Sequence, residues 1–348
     1  MKIVHLRFNL NSGGAENLVV DLINGQSVNN TVSLIVIDND YDQDLLNDLQ
    51  PGVNVHLLKR TSGSKNLLPF IKLNFILNYL KPDIIHCHDT TIIRFLPLVQ
   101  KRRTVLTIHG FNECNDLITK YGSVVAVSHS LMQEVKKSGV KNCRVILNGI
   151  DFSKVVKSPC EKKSEINKVV QVGRLDHVKK GQDILLRAIK VLEKRYGLLI
   201  SVDFIGVGKS LQYLNELSSE LSIAERVTFL GLHRRNDIYK KLYKYDILVQ
   251  PSRDEAFGLS AIEGVAASIP VITSDVPALK EIGEPLGSWI SFDSGNEHAL
   301  AEKMYVLHTE IAKHYQYQDD RLKKAEVLYS IDRMVKEYEF LYSSMLNS

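Results

Sequence analysis

Two glutamates, Glu255 and Glu263, stand eight positions apart in the stretch Gln250-Pro251-Ser252-Arg253-Asp254-Glu255-Ala256-Phe257-Gly258-Leu259-Ser260-Ala261-Ile262-Glu263-Gly264. An apolar run precedes the stretch and a helical pattern begins near Leu259. Glu255 is therefore expected in a strand-to-helix loop, and Glu263 about a turn inside the helix. Ionised carboxylates only accept hydrogen bonds, which suits the hydroxyls of a sugar or a ribose. Between them, Phe257, Gly258 and Leu259 can aim consecutive backbone N–H groups at an anion. On residue chemistry alone, Glu255 could equally serve as a nucleophile.

A second turn, from Val172 through Gly173, Arg174 and Lys180 to Gly181, sets a guanidinium and an ammonium six positions apart before another helix. A planar fork beside a mobile point charge fits a diphosphate, and a solvated basic loop is the plainer alternative. A third turn, Ser12-Gly13-Gly14-Ala15-Glu16, follows the first strand. Paired glycines let backbone N–H groups approach a ligand at the positive end of a helix. It is not G-x-G-x-x-G, and strand two is read as ending without the acidic residue of a ribose-binding Rossmann site.

Turns of this kind need strands and helices to hold them. Short β-branched runs at 3–6, 32–37, 53–58, 83–87, 104–108, 124–127 and 144–147 alternate with helical patterns at 16–23, 67–80 and 130–137. A second series has strands at 169–172, 200–205, 227–230, 247–250 and 271–273, with helices at 182–194, 211–221 and 259–267. Apolar strands separated by helices predict parallel sheets covered on both faces. The segment 151–167, with Pro159 and many Lys, Ser and Glu residues, reads as a linker. The fold class is α/β: two doubly wound Rossmann-like domains facing a central cleft, with ligands beyond the carboxyl ends of the strands.

Bulk properties narrow the function. The chain has 348 residues, 44 basic against 40 acidic, for a formal charge of +4. That balance, without a concentrated basic run, predicts no nucleic-acid partner. No stretch approaches a membrane span of about 20 apolar residues, and the N-terminus lacks a signal-peptide pattern. Cys87, Cys114, Cys143 and Cys160 show no paired spacing, so reduced thiols and a cytoplasmic location are expected.

Glu255 and Glu263 resemble the E-x7-E signature of glycosyltransferase family four, the retaining type of GT-B fold. Gly13-Gly14-Ala15-Glu16 resembles that family's N-terminal glycine loop, Thr107-Ile108-His109-Gly110 its histidine motif, and Val127-Ser128 the serine ending a late N-domain strand. Asn148-Gly149-Ile150-Asp151 is similar to the close of its first domain, and Gly173-Arg174 with Lys180-Gly181 to its diphosphate clamp. The likeness spans nearly the whole chain and points to bacterial O-antigen and surface-polysaccharide transferases. It implies a domain over 1–155 completed by a returning helix at 331–348, and a nucleotide-sugar-binding domain over 165–330.

The resemblance also implies roles. Arg174 and Lys180 would bind the donor diphosphate with the amides of Gly258 and Leu259. Glu263 would hold the ribose, Glu255 the donor sugar, Gly14 would face the phosphate, and His109 would lie beside the transferring sugar. The donor would be a UDP-sugar and the acceptor a lipid-diphosphate-linked saccharide, with no metal and no other cofactor. Ser268 stands where the family usually has glycine, Gly206-Val207-Gly208-Lys209 lacks a common aspartate, and Ala278-Leu279 replaces a small pair. An epimerase on the same fold and a non-catalytic nucleotide-sugar-binding subunit are the alternatives.

Three weaker signals remain. Asp38-Asn39-Asp40 could hold a divalent ion but is read as an acidic surface loop. His86 and His88, on one side of a strand with no further ligand expected nearby, are read as pocket lining or packing rather than zinc ligands. The helix within 65–81, with Lys59, Arg60 and Lys101-Arg102-Arg103 in the same domain, either packs on the sheet or rests on an anionic membrane.

Overall fold

The computed structural model describes residues 1–158, 165–287 and 289–347. The chain forms two compact units: Met1–Ile150 with Tyr329–Ser348, and Asp151–Leu328.

The first unit is built on seven strands: β1 (Lys2–Arg7), β2 (Thr31–Asp38), β3 (Asn54–Arg60), β4 (Ile84–Cys87), β5 (Thr104–Ile108), β6 (Ser123–Ala126) and β7 (Cys143–Val145). They pair in parallel in the order β3-β2-β1-β4-β5-β6-β7. The strand order reverses between β1 and β4, which opens a crevice beyond their carboxyl ends. Val, Ile and Leu side chains of β1, β2, β4, β5 and β6 are buried on both faces, as a sheet covered by helices requires, while the edge strands β3 and β7 are partly exposed. The Ile331–Leu346 helix packs against the Gly14–Ser27 helix of this same unit. Arg333 anchors it by donating to the carbonyls of Leu147 and Asn148.

The second unit repeats the plan with β8 (Lys168–Val172), β9 (Ser201–Ile205), β10 (Val227–Gly231), β11 (Ile247–Gln250), β12 (Val271–Ser274) and β13 (Ile290–Phe292). Its parallel order is β10-β9-β8-β11-β12-β13, with the switch point between β8 and β11. The doubly wound α/β class expected from the sequence is observed in both units. The three-residue β13 was not among the expected strands.

Part of the expected linker is packed instead. Val155 and Ile166 are buried, and the N–H groups of Val156 and Ser158 donate to the carbonyls of Tyr239 and Ala267 in the second unit. Pro159 and Cys160, with the rest of 159–164, lie outside the described residues. Ser268 has φ 59°, the left-handed region where a side chain costs about 1–2 kcal/mol. A glycine would adopt that conformation freely, which is the physical content of this departure.

The Leu68–Leu80 helix buries Pro69, Phe70, Leu73 and Leu77. Leu67, Ile71, Phe75 and Tyr79, four residues apart on its other side, are each more than 60% exposed. The helix therefore packs on the sheet and also presents an apolar stripe to solvent. Among the described residues no helix is long and apolar enough to cross a membrane.

Candidate functional site

At the switch point of the second unit, the turns after β8 and β11 are stitched together. Arg253 donates a bidentate pair to Asp183 at 2.8 and 2.7 Å and a further bond to the His177 carbonyl. The N–H groups of Arg253 and Asp254 both reach the carbonyl of Lys179. Gly181 (φ 65°) lies against the Pro251 carbonyl so closely that a side chain there would collide with backbone. The sequence expected one loop between β8 and the next helix. A one-turn helix, His177–Lys180, fills it, and Lys180 is its last residue.

That construction places Lys180 beside Glu255. Lys180 Nζ donates to Glu255 Oε2 at 2.6 Å, and the same oxygen accepts from Gln250 Nε2 at 2.8 Å and Ser252 Oγ at 3.1 Å. Glu255 Oε1 has no partner among the described residues and is left to accept from a ligand. Gln250 is itself fixed, since its Oε1 accepts from Ser260 Oγ at 2.8 Å. Arg174 is exposed at the end of β8, and no described residue pairs with its guanidinium. The Lys180–Glu255 pair is a contact that sequence spacing did not reveal, because 75 residues separate the partners.

Gly258 (φ 111°) is the N-cap of the Leu259–Ala266 helix, and this conformation turns the chain into the helix. The N–H groups of Leu259 and Ser260 have no backbone acceptor among the described residues. Phe257 is buried below them. Glu263 is the fifth residue of this helix and is 7% exposed, so its carboxylate is held within the fold rather than on an open surface.

In the first unit, Gly13 is the N-cap of the Gly14–Ser27 helix in extended conformation, so the turn requires no left-handed glycine there. Arg7, at the end of β1, is 6% exposed and donates to Glu16 at 2.9 Å. His109 follows β5 and is half-buried. Its N–H donates to Glu113 Oε2 at 3.0 Å. Burial lowers the His109 imidazole to about 3, with Arg7 adding repulsion. Burial pushes Glu113 up to about 7, against the pull of the His109 N–H. Glu113 and Arg7 were not singled out from sequence; each lies within a few residues of a motif that was, which is the signal that could have found them.

Two expectations are corrected. Asp38 closes β2 but is neither an open ribose site nor part of a surface loop: it is 3% exposed and paired with Arg60 at 2.7 Å. Asn39 and Asp40 are exposed, as the surface-loop reading expected, and Asp40 accepts from Asn11 at 2.7 Å. The Asp38-Asn39-Asp40 triplet is therefore not a free pair of carboxylates. His86 and His88 are not without neighbours either. β1 runs beside β4 with His5 opposite His86, and the ligand atoms of His5, His86 and His88 lie within 4.8 Å of one another. All six of their ring nitrogens already have hydrogen-bond partners, so the cluster is satisfied as neutral imidazoles.

A family model described as Glycosyl transferases group 1 matches residues 156–322, and one described as Glycosyltransferase Family 4 matches residues 12–154. An uncharacterized glycosyltransferase of Methanocaldococcus jannaschii is 32% identical over 253 residues, 62% of this chain and 64% of that protein. A Campylobacter jejuni enzyme is 25% identical over 91% of this chain and 90% of its own length. Its name is N-acetylgalactosamine-N,N'-diacetylbacillosaminyl-diphospho-undecaprenol 4-alpha-N-acetylgalactosaminyltransferase. Among solved structures, Anabaena HepE in complex with UDP-glucose superposes with a TM-score of 0.83 at 19% identity, over 99% of this chain and all of that one. The architecture is thus that of GT-B glycosyltransferases.

Proposed function

This chain belongs to the group 1, family 4 glycosyltransferases, and from that premise we propose that it is a retaining hexosyltransferase. It moves a hexose or N-acetylhexosamine from a UDP-sugar to a hydroxyl of a lipid-diphosphate-linked saccharide in surface-polysaccharide (O-antigen) assembly. The observation that carries the reading is the Lys180–Glu255 pair at the switch point, with Arg174 unpaired on the same turn. UDP-glucose in the Anabaena neighbour and the diphospho-undecaprenol acceptor named for the Campylobacter relative support the choice of substrates.

In this reading Arg174 and Lys180 hold the donor diphosphate, with the Gly258 and Leu259 amides. Glu263 accepts from the ribose hydroxyls, and the open Oε1 of Glu255 accepts from a donor-sugar hydroxyl. The bond from the anomeric carbon to the phosphate oxygen breaks, and the diphosphate leaves with the electron pair. The acceptor oxygen bonds the same face of that carbon, and its proton passes to the departing phosphate oxygen. No enzymic nucleophile is required, and the cations of Arg174 and Lys180 stabilise the charge that develops. The reaction uses no metal. Gly13 and Gly14 serve the phosphate side of the first unit, and His109 meets the sugar.

Screening nucleotide sugars by thermal shift tests the donor assignment. UDP and a UDP-sugar should raise the melting temperature, because a ligand of the native state stabilises it by mass action. If no nucleoside diphosphate does so at millimolar concentration, the reading falls.

The exposed stripe of the Leu68–Leu80 helix supports peripheral contact with an anionic membrane, where a lipid-linked acceptor would reside. Lys65, Lys72 and Lys81 lie exposed on or beside it, so apolar insertion and attraction to anionic headgroups act together. Binding to anionic vesicles should fall steeply as salt rises, since such attraction is screened over about 8–10 Å. Phe75→Ser should weaken it further. Equal partition onto neutral and anionic vesicles at low salt would remove the electrostatic component.

A further inference from the structure

The buried histidines form a chain that ends at the proposed sugar site. Gln26, His5, His86 and His88 are each at most 2% exposed. Gln26 Oε1 lies 2.8 Å from His5 Nε2, His5 Nδ1 lies 3.0 Å from His88 Nε2, and His88 Nδ1 lies 3.3 Å from His109 Nε2. A second branch leaves the other end of the same carboxamide. Gln26 Nε2 donates to Tyr342 at 3.2 Å, Tyr342 lies 2.7 Å from His86 Nδ1, and His86 Nε2 lies 2.7 Å from Thr107 Oγ1.

A neutral imidazole has one N–H and one acceptor nitrogen, so a chain of them has a direction. The Gln26 carbonyl can only accept. His5 must then carry its hydrogen on Nε2, and its Nδ1 accepts from His88 Nε2–H. His88 Nδ1 in turn accepts from His109 Nε2–H. The second branch agrees with this orientation of the carboxamide: Gln26 Nε2–H donates to Tyr342, whose hydroxyl lies 2.7 Å from His86 Nδ1. Reversing one imidazole alone would set two buried donors, or two bare acceptors, against each other.

We propose that Gln26, His5 and His88 are positioning residues for His109: the chain holds it as the Nε2–H tautomer and leaves Nδ1 a bare acceptor for a substrate hydroxyl. His109 Nδ1 has no partner among the described residues, and the residue is only partly buried, so this nitrogen is available to a ligand. An acceptor nitrogen binds a sugar or acceptor hydroxyl and repels an anionic phosphate oxygen. The inference rests on the reading of His109 as a sugar contact, and it specifies the polarity of that contact.

The test is nitrogen-15 NMR of histidine-labelled full-length protein, with turnover measured beside it. In the parent, His109 should show a protonated Nε2 and an unprotonated Nδ1. His5→Leu should mix the two tautomers and lower kcat about 10–100-fold, the range carried by groups that orient a functional imidazole in other sites, with little change in donor KM. His5→Gln, whose carboxamide can accept from His88 and donate to Gln26, should restore both tautomer and kcat. A parent His109 protonated on Nδ1 overturns the proposal without any mutant. An unchanged tautomer in a folded His5→Leu protein overturns it as well. Full activity in His109→Ala would instead reject the sugar-contact reading, so the two failures are distinguishable.

Discussion

Lys180→Ala should lower turnover about 10²–10³-fold, the scale seen when one preorganised donor is removed from a developing anion. The ammonium is held 2.6 Å from Glu255 Oε2, at the carboxyl ends of two neighbouring strands. It therefore spends no reorganisation when the diphosphate departs. The pair is partly exposed, with 28% and 12% of the two side chains accessible, so its contribution to stability is expected to be under about 1 kcal/mol. The loss should appear in turnover while the melting temperature stays close to that of the parent. Arg174→Lys should be impaired too, because an ammonium cannot reproduce the planar fork. Parent-like turnover in Lys180→Ala would remove the lysine from the clamp.

Acid should unfold the first unit well before ordinary carboxylate titration does. Burial lowers His5 to about 4 and holds His86 and His88 well below the ordinary value of 6.5. The neighbouring imidazoles lower His86 and His88 further, and Gln26 partly opposes the shift at His5. The unfolded chain takes up protons below pH 6.5, whereas the folded cluster stays neutral. Stability is thus complete above the unfolded value and falls as pH drops towards about 4. His5, neutral down to about 4, contributes a loss of about 2 kcal/mol between pH 7.5 and 5, and His86 and His88 add to it in the same direction. The single tryptophan, Trp289, sits in the second unit. Hydrogen-exchange protection across β1, β4 and β5 should therefore be lower at pH 5 than at pH 7.5, before Trp289 fluorescence changes. Equal protection of those strands at pH 7.5 and pH 5 would refute the neutral cluster.

What was legible in the sequence was local. The turn residues Gly181 and Gly258 and the runs that became β5 and β11 carry their patterns within a dozen residues. The contacts that join distant strands were not. Lys180 meets Glu255 because β8 and β11 are neighbours, and His5 meets His86 because β1 and β4 are. Strand order is set by the packing of the whole sheet rather than by any single segment. The alternation of His86 and His88, combined with a histidine on the first strand, was the available clue. It required knowing that the first and fourth strands sit side by side at a switch point. Asp38 was misread for a related reason: its partner Arg60 comes from β3, 22 residues on.

The central claim is that the second unit binds the nucleoside diphosphate of the donor through Arg174, Lys180 and Glu263 without a metal. Calorimetric titration of UDP into the protein in EDTA tests it most directly. The parent should bind, Glu263→Gln should bind about tenfold to a hundredfold more weakly through the lost charged acceptor, and a variant lacking both Arg174 and Lys180 should show no measurable heat. Binding that appears only when manganese is added, or equal affinity in all three proteins, would contradict the account.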